Sequence, residues 1–329
     1  MKGRRAAALF SAALLALCLA LFAACGAEEE NGIVYTLRED GASYAVTDCG
    51  GGAERAEIAA VRDGLPVTHI AEYAFFSCGE LTDVSIPDSV TSIGFSAFAS
   101  CGSLRSIAVP DSVTSMGNMV FYGCGALTEA SFGKGVTEVG RRMFHSCGSL
   151  AAVHLAGAVT AIGDSAFEGC ASLAGIALPA SVTRVGYRSF YGCAALTGLT
   201  LPSSLEYIGD SAFEGCAALT EIAVPDAAVR IGAAAFKNCA ALTDIVLGSG
   251  VERIGDAAFE NTALERVFYK GTEEEWNAID IGDGNAPLLS AERYCFRADE
   301  PAKTADGTAY IGKYWRYVGG VPAVWEITA

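Results

Sequence analysis

Apolar positions along the middle of the chain fall into columns that repeat every 23 residues. A phenylalanine recurs at Phe75, Phe98, Phe121, Phe144, Phe167, Phe190, Phe213 and Phe236, with a ninth at Phe259. Three residues after each of the first eight stands a cysteine, from Cys78 to Cys239, and three further on a leucine, from Leu81 to Leu242. Another column holds Ile70, Ile93, Met116, Val139, Ile162, Val185, Ile208, Ile231 and Ile254, and a glycine follows all but the first. Val84, Ile107, Ala130, Val153, Ile176, Leu199, Ile222 and Ile245 form a further apolar column. A fixed period of this length marks a solenoid, whose coils bury their apolar side chains only against their neighbours.

Each copy divides into three pieces. Leu-x-x-Ile-x-Val reads as a short strand with β-branched inward positions. Val-Thr-x-Ile-Gly reads as a second extended piece, its glycine permitting a sharp bend or positive φ. The Ala-Phe-x-x-Cys-x-x-Leu segment has the three-residue spacing of one helical turn. The expectation is an α/β repeat solenoid of 23-residue coils, with short parallel strands and one helical turn per coil.

The array occupies residues 58–269, and the remainder attaches or caps it. Residues 1–25 read as an export leader, with Lys2, Arg4 and Arg5 ahead of an apolar run from Ala6 to Ala24. Leu21-Phe22-Ala23-Ala24-Cys25 resembles a bacterial lipobox, which implies lipidation at Cys25, although Phe22 departs from the usual Leu, Val or Ile. Ordinary cleavage and an uncleaved anchor are the alternatives, since 19 apolar residues are enough to span a bilayer. Residues 26–32 read as a tether. Residues 33–60 read as an N-terminal cap hairpin turning at Asp40-Gly41. Residues 270–297 read as a C-terminal cap, in which Thr272 and Glu275 have capping-box spacing and Trp276 seals the face. Residues 298–329 are a linker and an aromatic-rich hairpin around Gly319-Gly320, packing back on the array or free to meet a glycan.

The phrase Ile-Pro-x-Ser-Val-Thr-x-Ile-Gly-x-x-Ala-Phe-x-x-Cys-x-x-Leu resembles the BspA-like class of leucine-rich repeats found in bacterial surface proteins. The resemblance implies an elongated, curved solenoid exposed on the cell surface. Some members of the class are adhesins for host matrix proteins, and many have no known ligand. With the leader, this places the chain as an extracytoplasmic, membrane-anchored lipoprotein. Its expected partner is a host matrix or surface protein or a glycan. A structural spacer and an accessory lipoprotein serving a partner enzyme are the alternatives.

Charge and chemistry narrow the classes further. The formal balance is −16, which disfavours a nucleic-acid surface. No paired C-x-x-C motif suggests a metal, no cofactor motif is present, and Cys78 to Cys239 read as small buried thiols rather than bridges. His69, His145 and His154 fall in different columns with nothing pairing them, so no enzyme is expected. The candidate binding surface is Tyr187 and Tyr191, with Arg184, Arg188 and Tyr207 nearby in the stack. Tyrosine and arginine are common interface anchors, although rings lying flat over neighbouring coils would give the same pattern.

Overall fold

The structure is a computed structural model that describes residues 28–30, 32–50, 52–157 and 159–327. The leader and Cys25, the expected lipidation point, lie outside these residues. The array is a parallel β-solenoid. One sheet carries the Leu-x-x-Ile strands, including Ser106–Val109, Glu129–Phe132 and Ala152–Leu155, with Ile107, Ala130 and Val153 in register. It resumes with Glu221–Val224, Asp244–Leu247 and Arg266–Tyr269. A second sheet is built from two-residue strands such as Arg184–Val185 and Tyr207–Ile208, with Ile162, Val185, Ile208, Ile231 and Ile254 in register.

The third side is not helical, and here the sequence expectation is corrected. Among the described residues, helices occur only at Glu273–Asn277 and Ala286–Ser290, both outside the coils. The Phe-x-x-Cys segment is a pair of tight turns. Ala99 and Cys101 donate N–H to the carbonyls three residues back, Ser96 and Phe98, at 3.1 and 3.3 Å. The alternate amides leave the coil. Ser96, Phe98 and Ser100 donate to the carbonyls of Asn118, Val120 and Tyr122 in the next coil, at 3.0, 2.9 and 2.7 Å. A helix uses its amides within its own segment, whereas this segment spends half of them on its neighbour. The geometry requires positive φ at two columns, as at Ser96 (52°) and Ser100 (62°). The second column supplies Ser, Gly or Asn throughout, from Ser77 to Asn261. The first holds Tyr73, Met119, Arg142 and Arg188, where the left-handed conformation costs about 1–2 kcal/mol each and is imposed by the stack.

The glycine after each second-sheet strand has a role other than a positive φ. A Cβ on Gly209 would lie 2.5 Å from the carbonyl carbon of Gly186 in the preceding coil, so glycine is needed there for close approach. Inside, the phenylalanines form one continuous stack. Phe75 and Phe98 have centroids 4.8 Å apart with planes 9° from parallel, and Phe236 and Phe259 close the series at 5.3 Å and 13°. All nine anchor phenylalanines are fully buried.

The cysteines pack beside them. Cys101 Sγ donates to Phe75 O at 2.9 Å, and the relation recurs to Cys239 and Phe213 at 3.1 Å. Burial pushes the thiols of Cys147 and Cys239 up to about 12. The column begins with an exception: Cys78 is not a free thiol but is bonded to Cys49, 29 residues earlier in the N-terminal segment. Geometry between neighbouring column members is poor for bridging, but Cys49 approaches from outside the column, with its Cα 6.7 Å from that of Cys78.

Both ends are covered. Ile33–Leu37 and Tyr44–Asp48 form an antiparallel pair, and the latter lies parallel to Leu65–Ile70, the first strand of the second sheet. At the other end the capping box forms: Glu275 N–H donates to Thr272 Oγ1, and Thr272 N–H to Glu275 Oε2. Trp276 is buried edge-on against Tyr269. Asn285, 1% exposed, stands in for the missing next coil. Its Oδ1 accepts from Phe259 N–H at 3.0 Å, and its Nδ2 donates to Gly255 O and Gly282 O at 2.9 and 2.8 Å. The first sheet continues past the array through Glu292–Phe296 to Tyr314–Val318, which turns back antiparallel into Val321–Val324. Trp315 is fully buried and donates its indole N–H to Tyr269 O at 2.9 Å.

Two outcomes follow from this packing. Asn285→Ala orphans the buried N–H of Phe259, at about 1–3 kcal/mol, and removes one of the two donors to Gly255 O, which keeps the N–H of Ala258. It should lower the denaturation midpoint, with hydrogen exchange rising first around residues 255–282; exchange unchanged there would refute the capping role. Alkylation of the folded protein, mapped by mass spectrometry, should label Cys295 and spare Cys101 to Cys239 until the solenoid unfolds.

Candidate functional site

The second sheet and the turn side meet along an edge where arginine and tyrosine collect. In-register pairing sets Arg184, Tyr207 and Arg230 side by side on three successive strands. Their side chains point outward because the next residue of each strand, Val185, Ile208 or Ile231, is buried, and strand faces alternate. The Arg184 guanidinium lies 5.5 Å from the Tyr207 ring centroid and that of Arg230 5.6 Å, so one ring serves two cations. Asp164 and Asp210 sit 3.8 and 3.3 Å from Arg184 and Arg230.

The adjoining turn carries a second group. The Arg188 guanidinium lies 4.7 Å from the Tyr191 ring and 5.3 Å from that of Tyr187. Glu168 is 3.8 Å from the same guanidinium. Tyr187 remains 46% exposed. Asp164 joins the two groups, because its Oδ1 also accepts from Tyr187 N–H at 2.9 Å. The structure thus brings together all five residues singled out from the sequence, Arg184, Tyr187, Arg188, Tyr191 and Tyr207.

Sequence reasoning missed Asp164, Glu168, Asp210 and Arg230. A signal was present. Asn118, Asp164, Asp210 and Asp256 recur in alternate coils, each accepting from a backbone amide one coil on, at Arg141, Tyr187, Ala233 and Asp283. Glu168 also lies 3.8 Å from His145, whose ring stacks on Tyr122 at 4.9 Å. Burial is the main cause holding His145 below the usual histidine value. The group can offer flat aromatic surface and guanidinium donors already held in place. Among the described residues no three His, Cys, Asp or Glu side chains are placed to hold a metal ion.

Comparison with known proteins agrees with the architecture. The profile of the family described as BspA type leucine-rich repeat region matches in six copies, over residues 68–196 and 160–278. No curated protein matches the chain. Among solved structures, the chain is similar to a leucine-rich repeat protein of T. pallidum, at 28% identity over 66% of this chain and 91% of that one, with a TM-score of 0.47. It is also similar to a leucine-rich cell surface protein of Faecalibacterium prausnitzii, at 25% identity over 78% and 97%, with a TM-score of 0.35. The pneumococcal vaccine antigen PcpA matches at 14% identity over 82% and 98%, with a TM-score of 0.42. The family profile spans more than half of the sequence, and the chain belongs to the BspA-type leucine-rich repeat proteins.

Proposed function

We propose that the chain is an extracytoplasmic binding scaffold, exported by its leader and held at the bacterial cell surface through lipidated Cys25. Its solenoid then presents Tyr187, Arg188, Tyr191, Arg184 and Tyr207 to a host matrix or surface protein or a glycan. The observation that carries the reading is the junction at Asp164, which fixes two arginine–tyrosine groups into one exposed surface. On a chain with a formal charge of −16, such a gathering of guanidinium groups stands out. Rings and cations already held by their neighbours lose little conformational freedom when a partner arrives. The neutral amide and apolar surfaces of matrix proteins and the ring faces of sugars both suit this chemistry.

One observation favours a second reading. Arg184, Arg188 and Arg230 each already face an acid within 3.8 Å, as expected of a self-sufficient surface on a structural spacer. Replacing Tyr187 and Tyr191 together by alanine separates the two. Saturable binding of the full chain to immobilised matrix proteins, mucins or glycans should weaken at least about tenfold, with the unfolding midpoint retained. Unchanged affinity, or no saturable binding to any member of the panel, leaves the spacer reading. Attachment has its own test: Cys25→Ser should move the protein from the membrane fraction to the soluble fraction, and its retention in the membrane would refute lipid anchoring.

A further inference from the structure

Two coils compete for the carboxylate of Glu168, which lies on the turn side at the border of the arginine–tyrosine surface. From the preceding coil His145 brings its Nδ1 to 3.8 Å from Oε2, and from the following coil Arg188 brings Nη1 to 3.8 Å from Oε1. Both separations are longer than a hydrogen bond. The His145 and Glu168 side chains are 21% and 17% exposed, so water screens their charges little. Donors are in surplus around this one acceptor. The Nδ1 of His145 and the Nε of Arg142 and of Arg188 are each buried with no hydrogen-bond partner among the described residues.

The groups that face His145 come from three coils. Tyr122 stacks on the ring from the coil before, Arg142 shares its own coil, and Glu168 stands on the coil after, backed by Arg188. The charge on the ring decides what Glu168 can accept. A neutral imidazole with its proton on Nε2 offers the carboxylate only a lone pair, which agrees with the 3.8 Å gap. The imidazolium donates from both nitrogens, and a charged N–H bonded to a carboxylate closes to about 2.7–2.9 Å. Burial is the main cause holding His145 below its ordinary value; Glu168 works against that and Arg142 with it. The ring is therefore neutral at pH 7 and takes its proton in mild acid. The unfolded chain binds that proton at higher pH than the folded array, so stability falls as the pH drops through the interval between them.

We propose that His145 is an acid-responsive switch, whose imidazolium draws Glu168 toward itself and frees Arg188 for a partner of the arginine–tyrosine surface. While His145 is neutral, one carboxylate stands opposite the Arg188 guanidinium. When His145 is charged, two cations share that carboxylate, and Arg188 presents itself beside Tyr187 and Tyr191 with less of its charge cancelled. On the reading of this surface as a binding face, on which the switch rests for its purpose, binding then strengthens as the pH falls. The effect is confined to Arg188, because Arg184 and Arg230 face Asp164 and Asp210 instead. Neither other histidine enters the exchange: His69 is hydrogen-bonded to Thr68 on the second sheet, and His154 lies 3.3 Å from Glu129 on the first.

The test follows the ring nitrogens of His145 and the Nε of Arg188 by NMR in the isotope-labelled full chain, from about pH 7.5 to 5. His145→Gln and Arg188→Lys assign the two signals. The Arg188 signal should move with the same midpoint as His145, below the ordinary histidine value. In Glu168→Gln the His145 midpoint should fall by about half a pH unit or more, because the anion that favours the imidazolium is gone. The Arg188 signal should then stop following it. His145→Gln should hold the Arg188 signal at its neutral-pH position throughout. An Arg188 signal that ignores the His145 titration in the wild-type chain, or that still follows it without Glu168, would overturn the proposal. The wild-type titration decides the matter if either variant folds poorly. No ligand is present, so the switch and the binding role of the surface succeed or fail separately.

Discussion

Hydrogen bonding between successive coils is the constraint on which this solenoid depends. Two sides bond through parallel strand ladders. The third uses alternate amides such as Ser96, Phe98 and Ser100, each reaching the carbonyl 22 residues ahead. A coil of 23 residues cannot recover the entropy of its own ordering by burying its few apolar side chains. Only stacking supplies the missing partners, and stacking demands a constant register. The phenylalanine column and the thiol-to-carbonyl bonds beneath it are the packed consequences of that register.

The period, the buried columns and the parallel strands were legible because repetition multiplies a weak local signal. The third side was not, because two consecutive tight turns place Phe, Cys and Leu at the same three-residue spacing as a helical turn. The discriminating feature is the left-handed backbone at residues such as Met119 and Arg188, and neither side chain announces it. Cys78 was misread for a related reason: it stands in phase with seven free thiols, and its partner Cys49 lies outside the period. The exposed cluster was half legible. Tyr187, Tyr191 and their arginines can be placed from column position alone. Asp164 escaped notice because it acts on a backbone amide a full coil away.

Charge on the surface obeys the stack as well. Identical side chains in adjacent coils stand ~4.8 Å apart, close enough for like charges to repel. Glu168, Glu214 and Glu260 accordingly occupy alternate coils, with His145, Tyr191 and Lys237 at the same position of the coil before each. Lys237 meets Glu260 at 2.6 Å, and His145 meets Glu168 at 3.8 Å. Along this column the unit of surface electrostatics is two coils, although the unit of packing is one. On the second sheet a similar alternation brings Tyr207 between Arg184 and Arg230.

The bridge between Cys49 and Cys78 has a mechanical consequence. Tension entering from the N-terminal side would peel a stacked protein one strand at a time, because each strand is held only by its neighbour. The bridge closes a covalent loop around Leu65–Ile70, the strand joining the N-terminal pair to the array. A pull therefore bypasses that strand and reaches the first phenylalanine coil directly, where the load is shared among two ladders and the turn-side amides. The least repetitive end of the molecule is thereby relieved of the weakest link in its extension.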